Sequence, residues 1–306
     1  MELFLAKTQG FCAGVSYAVT IVEKALKKYG KPLYVYHDIV HNTYVVENFK
    51  KQGVVFVECI DLVPEGHPVV FSAHGVPPSV IDEAKERHLK IIDATCPLVQ
   101  KVHQEAMRFS KKKYHTILIG KRGHQELIGT SGYVQKDLLH IVEDLADINA
   151  LTLDPQDRVA YITQTTLSVD ETKCMIERLE IRFPHIVAPQ GSDVCYATQN
   201  RQNAIKELAR FCDVIIVCGS PNSSNSNRLK EIGVNEGVES IIIDSVKDLD
   251  LKRIKDKRKI GISSGASVPR VIVNDLIKYF SEHFPDTVIH TFNNPEKKIK
   301  FHLPKI

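Results

Sequence analysis

Three stretches of this chain repeat one alternation of apolar and amphipathic segments. Short apolar runs at residues 3–6, 91–92 and 186–188 each lead to a single cysteine: Cys12, Cys96 and Cys195. Each cysteine opens a segment whose apolar positions have helical spacing: AGVSYAVTIVEKALKKYG, PLVQKVHQEAMRFSKKK and YATQNRQNAIKELARF. A strand pattern follows each helix (PLYVYHDIV, HTILIG, DVIIVCG), then a polar loop (HNTYVVENF, KRGHQELIGT, SPNSSNSNRLKEI). The register barely drifts: Cys12 to His41 is 29 positions, and Cys96 to His124 and Cys195 to Ser223 are both 28.

Each repeat continues through a second strand (VVFVEC, LLHIVED, SIIID) to a third. The third ends in a loop of small and polar residues, FSAHGVPPSV, ITQTTLSVDE or ISSGASVPRV, that leads into another amphipathic helix. Self-similarity of this kind fixes architecture ahead of local detail. Strands alternating with helices of this length indicate βαβ units on parallel sheets. The expectation is an α/β chain of three small parallel-sheet domains, residues 1–95, 96–194 and 195–306, with the N-terminal strand available to the third. Ligands of such sheets bind at the carboxyl ends of the strands, where the cysteines and polar loops fall. Units set in a ring would turn those ends toward one centre.

Composition narrows the class. The 306 residues are ample for a buried core, and 40 basic against 37 acidic residues leave a net charge of +3. Basic clusters at 111–113 and 252–259 lack interleaved aromatics, so they read as solvated helix ends and turns rather than a nucleic-acid surface. No apolar run reaches the roughly 18 residues of a membrane span. The start, MELFLAKTQGFC, has neither a basic n-region nor a long apolar h-region, so no signal peptide is expected. Seven cysteines without compact disulfide spacing fit a reducing compartment, and the cytoplasm is the expected location.

No CxxC occurs, which argues against zinc ribbons and thioredoxin-like motifs. Cys12, Cys96 and Cys195 instead come singly, each at the start of a helix, where the dipole favours a thiolate. Three soft thiolates suit an iron–sulfur cluster. A four-iron cluster with three protein thiolates leaves one iron open to a substrate oxygen, an arrangement for catalysis. Cys59, Cys174, Cys212 and Cys218 have no counterparts in the other repeats and read as packing residues.

GFCAGV (10–15), HDIVHN (37–42), SAHGV (72–76), DATCPLVQKVH (93–103) and GHQE (123–126) occur in order along the chain. TQTTLSVD (163–170), CYATQNRQ (195–202), GSPNSSNSNRL (219–229) and SSGASVP (263–269) follow. In these residues the chain resembles the 4-hydroxy-3-methylbut-2-enyl diphosphate reductase family, which makes isoprenoid precursors by the non-mevalonate pathway. The resemblance implies a pseudo-threefold, three-domain fold around one 4Fe-4S cluster held by Cys12, Cys96 and Cys195. It implies a short allylic alcohol diphosphate as substrate, reduced by two electrons to isopentenyl and dimethylallyl diphosphate. A ferredoxin or flavodoxin is the implied electron donor; neither nucleic acid nor membrane is an expected partner.

Under that resemblance the polar loops acquire roles. His41, His74, His124, Ser223, Ser224, Asn225 and Ser267 offer donors for a diphosphate, and helix N-termini just after them add backbone N–H groups. Lys121 and Arg122 are the basic residues of the loop KRGHQELIGT, and the site's surroundings are expected to be only weakly cationic. Glu126 is the carboxylate of the GHQE motif and is expected to be the proton donor, its pKa raised by burial. Thr165, placed by the pattern at the repeat position equivalent to His74 and Ser267, is expected to relay the proton or orient the alcohol, with His124 assisting. Ser168 reads as a helix cap.

His37 and His41 have the spacing of a helical zinc pair but fall on a strand-to-loop pattern without the HExxH glutamate. No GxGxxG or GxxxxGK[ST] is present, so electrons are expected from a separate carrier, and the basic clusters offer it a dock. A quinolinate-synthase-like dehydratase shares the three-cysteine plan, but its carboxylate substrates call for arginine forks. A redox sensor would need an output motif such as a helix-turn-helix, and none is evident.

Overall fold

The structure, a computed structural model, describes residues 1–284, 286–291 and 299–304. It divides into two compact units. The first comprises Met1–Ser16, His41–Asn48 and Tyr196–Lys300; the second comprises Tyr17–Val40, Phe49–Cys195 and Phe301–Ile306.

In the first unit, strands β1 (Glu2–Leu5), β9 (Val214–Cys218), β10 (Glu239–Ile243), β11 (Lys259–Ser264) and β12 (Val288–Thr291) form one parallel sheet in the order β10-β9-β11-β1-β12. All five residues of β9 are fully buried, so the strand is apolar throughout rather than alternating, as a parallel sheet covered on both faces requires. Val214 and Ile216 face one core with Ile272, Leu276 and Phe280 of α10 (Arg270–His283). Ile215 and Val217 face the other, with Ile205 and Leu208 of α8 (Tyr196–Ala209) and Leu229 and Ile232 of α9 (Ser224–Asn235). Each such side chain contributes about 1.5–3 kcal/mol.

The second unit holds two further parallel sheets. One has the order β3-β2-β4-β5, from β2 (Leu33–Tyr36), β3 (Val54–Val57), β4 (Pro68–Phe71) and β5 (Lys90–Asp93). The other has the order β7-β6-β8, from β6 (His115–Ile119), β7 (Leu139–Val142) and β8 (Val159–Thr163). Its faces pack on α4 (Pro97–Lys111) and α5 (Gln125–Ser131) on one side and α7 (Val169–Arg182) on the other.

One order recurs in all three sheets: the second strand of the repeat, then the first, third and fourth. The fourth position holds β5 in one sheet, β1 in another, and in the last only the bridge between Ala160 and Val187. The run at 186–188 is therefore a single bridge and not the strand its apolar residues suggest. The order reverses direction between first and third strands, and the carboxyl ends of that pair form the crevice where α/β sheets take ligands. The tail 293–306 lies partly outside the described residues. Phe301, which is described, sets its ring edge-on to Tyr17 at 6.2 Å. Among the described residues no helix is long and apolar enough to cross a membrane.

Candidate functional site

The three cysteines share one backbone device. The N–H of Cys12 donates to the carbonyl of Ala266 at 3.0 Å, that of Cys96 to Ala73 at 3.0 Å, and that of Cys195 to Thr165 at 3.1 Å. Each thiol thus hangs from the loop after a third strand and stands at the start of α1 (Ala13–Tyr29), α4 or α8. The N–H of Val15 donates to the sulfur of Cys12 at 3.4 Å. All three are partly exposed, whereas burial, and then Asp213, pushes the Cys212 thiol up to about 12, and burial alone does the same for Cys218.

These anchors correct one expectation. Thr165 occupies the position of Ala73 and Ala266, so the counterpart of His74 and Ser267 is Thr166. Matching bonds from Gln164 to Ile119 (2.8 Å) and from Gly265 to Cys218 (2.9 Å) fix the same register. Thr166 accepts a hydrogen bond at its hydroxyl from the Gln164 amide at 2.9 Å, while the Gln164 carbonyl oxygen accepts from the Lys121 N–H at 3.0 Å.

Within the second unit the structure gathers His74, His124, Glu126 and Thr165. Glu126 is 2% exposed. Its Oε1 accepts from the Thr165 N–H at 2.6 Å and its Oε2 from the Thr165 hydroxyl at 3.0 Å. Burial raises its carboxyl to about 7; the two bonds from Thr165 oppose that rise, and Asp193 adds to it. His124 caps α5, its Nδ1 accepting from the Glu126 N–H at 3.2 Å, which puts the proton of a neutral ring on Nε2. Its ring lies edge-on to that of His74 at 6.0 Å. Asp193 links the two cysteine segments here: it accepts from Lys101 of α4 at 3.1 Å and from the Thr163 N–H at 3.1 Å.

His103 was missed as a candidate although it lies within a quoted motif. Burial holds it down to about 4, and its Nε2 is buried without a partner. The ring stacks on Tyr133 at 4.4 Å and fills the place where a Cβ on Gly75 would stand, 2.4 Å from such an atom. Gly75, at φ 77°, is thus required both by its backbone and by this approach.

Within the first unit the structure gathers His41, Ser223, Ser224, Asn225 and Ser267. The Ser267 hydroxyl donates to the His41 carbonyl at 2.9 Å. Ser223 caps α9, accepting from the Ser226 N–H at 3.3 Å and from the Ser226 hydroxyl at 3.1 Å, and Ser224 begins that helix. Asn225 is 5% exposed, and both its amide oxygen and nitrogen are buried without partners. An amide left so is costly unless a ligand answers it. Ser168 caps α7, as expected, accepting from the Glu171 N–H at 3.3 Å. Of the two basic loop residues, Arg122 turns away to pair with Asp147 at 2.7 Å.

Among the described residues, no three His, Cys, Asp or Glu side chains are grouped so as to hold a metal ion. The basic clusters lie at the wrong ends of the strands for the site: 111–113 precedes the amino end of β6, and 252–259 that of β11. About 17–20 Å of strand separates each from the carboxyl ends.

A family model described as LytB protein matches residues 3–281. The 4-hydroxy-3-methylbut-2-enyl diphosphate reductase of Rhodopirellula baltica is 47% identical over 100% of this chain and 95% of its own. Reductase 2 of that name from Bradyrhizobium diazoefficiens is 49% identical over 99% and 98%. Among solved structures, the E-1-hydroxy-2-methyl-but-2-enyl-4-diphosphate reductase of Plasmodium falciparum superimposes with a TM-score of 0.96 at 38% identity, covering 99% of this chain and 95% of that one.

Proposed function

The chain belongs to the LytB family, and on that premise we propose that it is a 4-hydroxy-3-methylbut-2-enyl diphosphate reductase. It removes the allylic hydroxyl with two electrons and two protons, giving water and isopentenyl or dimethylallyl diphosphate. The single observation that carries the reading is the buried Glu126 carboxyl, near 7 and gripped by Thr165 on the loops that follow β6 and β8.

The donor set fits an iron–sulfur cluster in its chemistry: three partly exposed thiols, each at a helix start and each hung from the equivalent carbonyl. Cys12, Cys96 and Cys195 are the proposed ligands of one 4Fe-4S cluster. Such a cluster, when bound, supplies electrons and an open iron for the substrate's oxygen. His41, His74, His124, Ser223, Ser224, Asn225 and Ser267 bind the diphosphate; Asn225 brings an amide with both atoms available. Near neutral pH a large share of Glu126 still holds its proton, which it delivers to the departing hydroxyl. The carboxylate left behind is stabilised by the same two bonds from Thr165, whose hydroxyl also orients the alcohol. His124 holds the start of α5, and with it Glu126, in place. The three repeats, 1–95, 96–194 and 195–306, are the domains of this reading, and a ferredoxin or flavodoxin is its electron donor.

Anaerobic turnover of the allylic diphosphate with a strong one-electron reductant tests it. Purified protein is expected to contain iron, turn brown and form both products. Cys12→Ser, Cys96→Ser and Cys195→Ser each lose the chromophore or the activity, and Cys212→Ser keeps both. Iron-free protein after anaerobic purification, or zinc in place of iron, would overturn the reading.

A further inference from the structure

We propose that Arg201 is a fixed, buried counter-charge for the iron–sulfur cluster, a positioning residue that eases the cluster's one-electron reduction. The proposal rests on the reading that Cys12, Cys96 and Cys195 hold such a cluster.

Arg201 is 1% exposed and is the largest fully buried side chain among the described residues. In the first unit it is the only charged side chain in the buried class among those residues. Its guanidinium donates to three carbonyls and to nothing else: Nε to Ser264 at 3.2 Å, one terminal nitrogen to Ala197 at 3.1 Å, the other to Gly10 at 2.7 Å. No carboxylate among the described residues lies within ion-pair distance of it.

Burying an ion carries a penalty of several kcal/mol, and a guanidinium cannot escape it by losing its proton. Carbonyl dipoles solvate the charge but leave it uncancelled. Glutamine has only two N–H donors for these three carbonyls, so the guanidinium serves both as a brace and as a charge that no carboxylate of the described residues cancels.

The three acceptors lie on segments next to the proposed cluster ligands. Gly10 is two residues before Cys12, and Ala197 is two after Cys195. Ser264 is two before Ala266, whose carbonyl receives the Cys12 N–H. A four-iron cluster on three thiolates is net anionic, and one electron from the external carrier makes it more so, with no bond made or broken. A fixed cation favours that reduced state, and net charge near a cluster is among the determinants of its potential.

The test is a redox titration, followed by electron paramagnetic resonance, of the anaerobically reconstituted wild type, Arg201→Lys and Arg201→Gln, with thermal midpoints measured alongside. Arg201→Met serves as a second neutral variant, its chain filling the same space should glutamine not fold. Both neutral variants are expected to disfavour reduction by about tenfold or more, which is a midpoint about 59 mV more negative for a one-electron couple. Lysine, which keeps the charge and loses the forked contacts, is expected to stay within about threefold of wild type while losing thermal stability. Equal shifts for lysine and the neutral variants, or a wild-type midpoint in a neutral one, overturn the proposal and leave Arg201 a brace. A wild type that holds no iron refutes the cluster reading itself, which keeps the two failures distinct.

Discussion

Glu126 and Arg201 are both buried ionisable groups beside strand-end loops, and the fold treats them in opposite ways. Glu126 meets burial by holding its proton: desolvation lifts the carboxyl to about 7 even though both oxygens accept bonds from Thr165. Arg201 has no such exit and is solvated by three carbonyls. The first arrangement leaves a proton that can move near neutral pH; the second leaves a charge that cannot. In the proposed reaction the first would deliver a proton and the second would offset negative charge gained on reduction.

That difference is sharpest in how stability depends on pH. The folded pKa of Glu126 lies above its unfolded value, so its contribution is fully present below about pH 4.5 and is lost as pH rises through about 7. Glutamine keeps the shape, accepting from the Thr165 N–H and donating to its hydroxyl, and has no proton to lose. Glu126→Gln is therefore expected to gain about 3 kcal/mol relative to wild type between pH 4.5 and pH 8, read from thermal midpoints across that range. Arg201→Met should show no change relative to wild type in the same window, because neither side chain titrates there. An unchanging difference for Glu126→Gln would mean that the carboxyl is not held protonated by the fold.

A smaller effect probes the frame that carries the first-unit loops. A Cβ on Gly265 would stand 2.1 Å from the Ser226 hydroxyl, so α9 can begin close over the end of β11 only with glycine there. Gly265→Ala is expected to lower stability by about 1–3 kcal/mol, with partial rescue by Ser226→Ala, which removes the clashing oxygen. Stability equal to wild type would show that the start of α9 is free to shift, and that Asn225 is not fixed by it.

The strands were legible because burial on both faces leaves uninterrupted apolar runs such as 214–218, and the cysteines because a constant register exposes them. The one-residue slip at Thr165 arose because TQTT offers adjacent threonines; side chains alternate sides along an extended segment, and only the bond from Cys195 shows which position is which. The run at 186–188 had a strand's apolar residues, but hydrogen bonding reduced it to one bridge.

Arg201 lies in CYATQNRQ, where a polar residue in a polar helix reads as solvated. One signal was available: Ala197, Arg201, Ala204 and Leu208 share the spacing of a single helical stripe, and the other three are buried apolar residues. His103 escaped for a related reason, because nothing in the sequence shows that its ring fills the space above Gly75.

The most direct test of the account is the single-turnover rate of the reduced, substrate-loaded enzyme as a function of pH, for wild type and for Glu126→Gln. The wild-type rate is expected to decline as pH rises past about 7, where Glu126 loses its proton. The variant should keep its cluster and bind substrate, run about 10²–10⁴-fold slower, or about 3–5 kcal/mol in barrier, and lack that decline. A glutamine variant that reduces substrate at close to the wild-type rate would contradict the account and remove Glu126 from the chemistry.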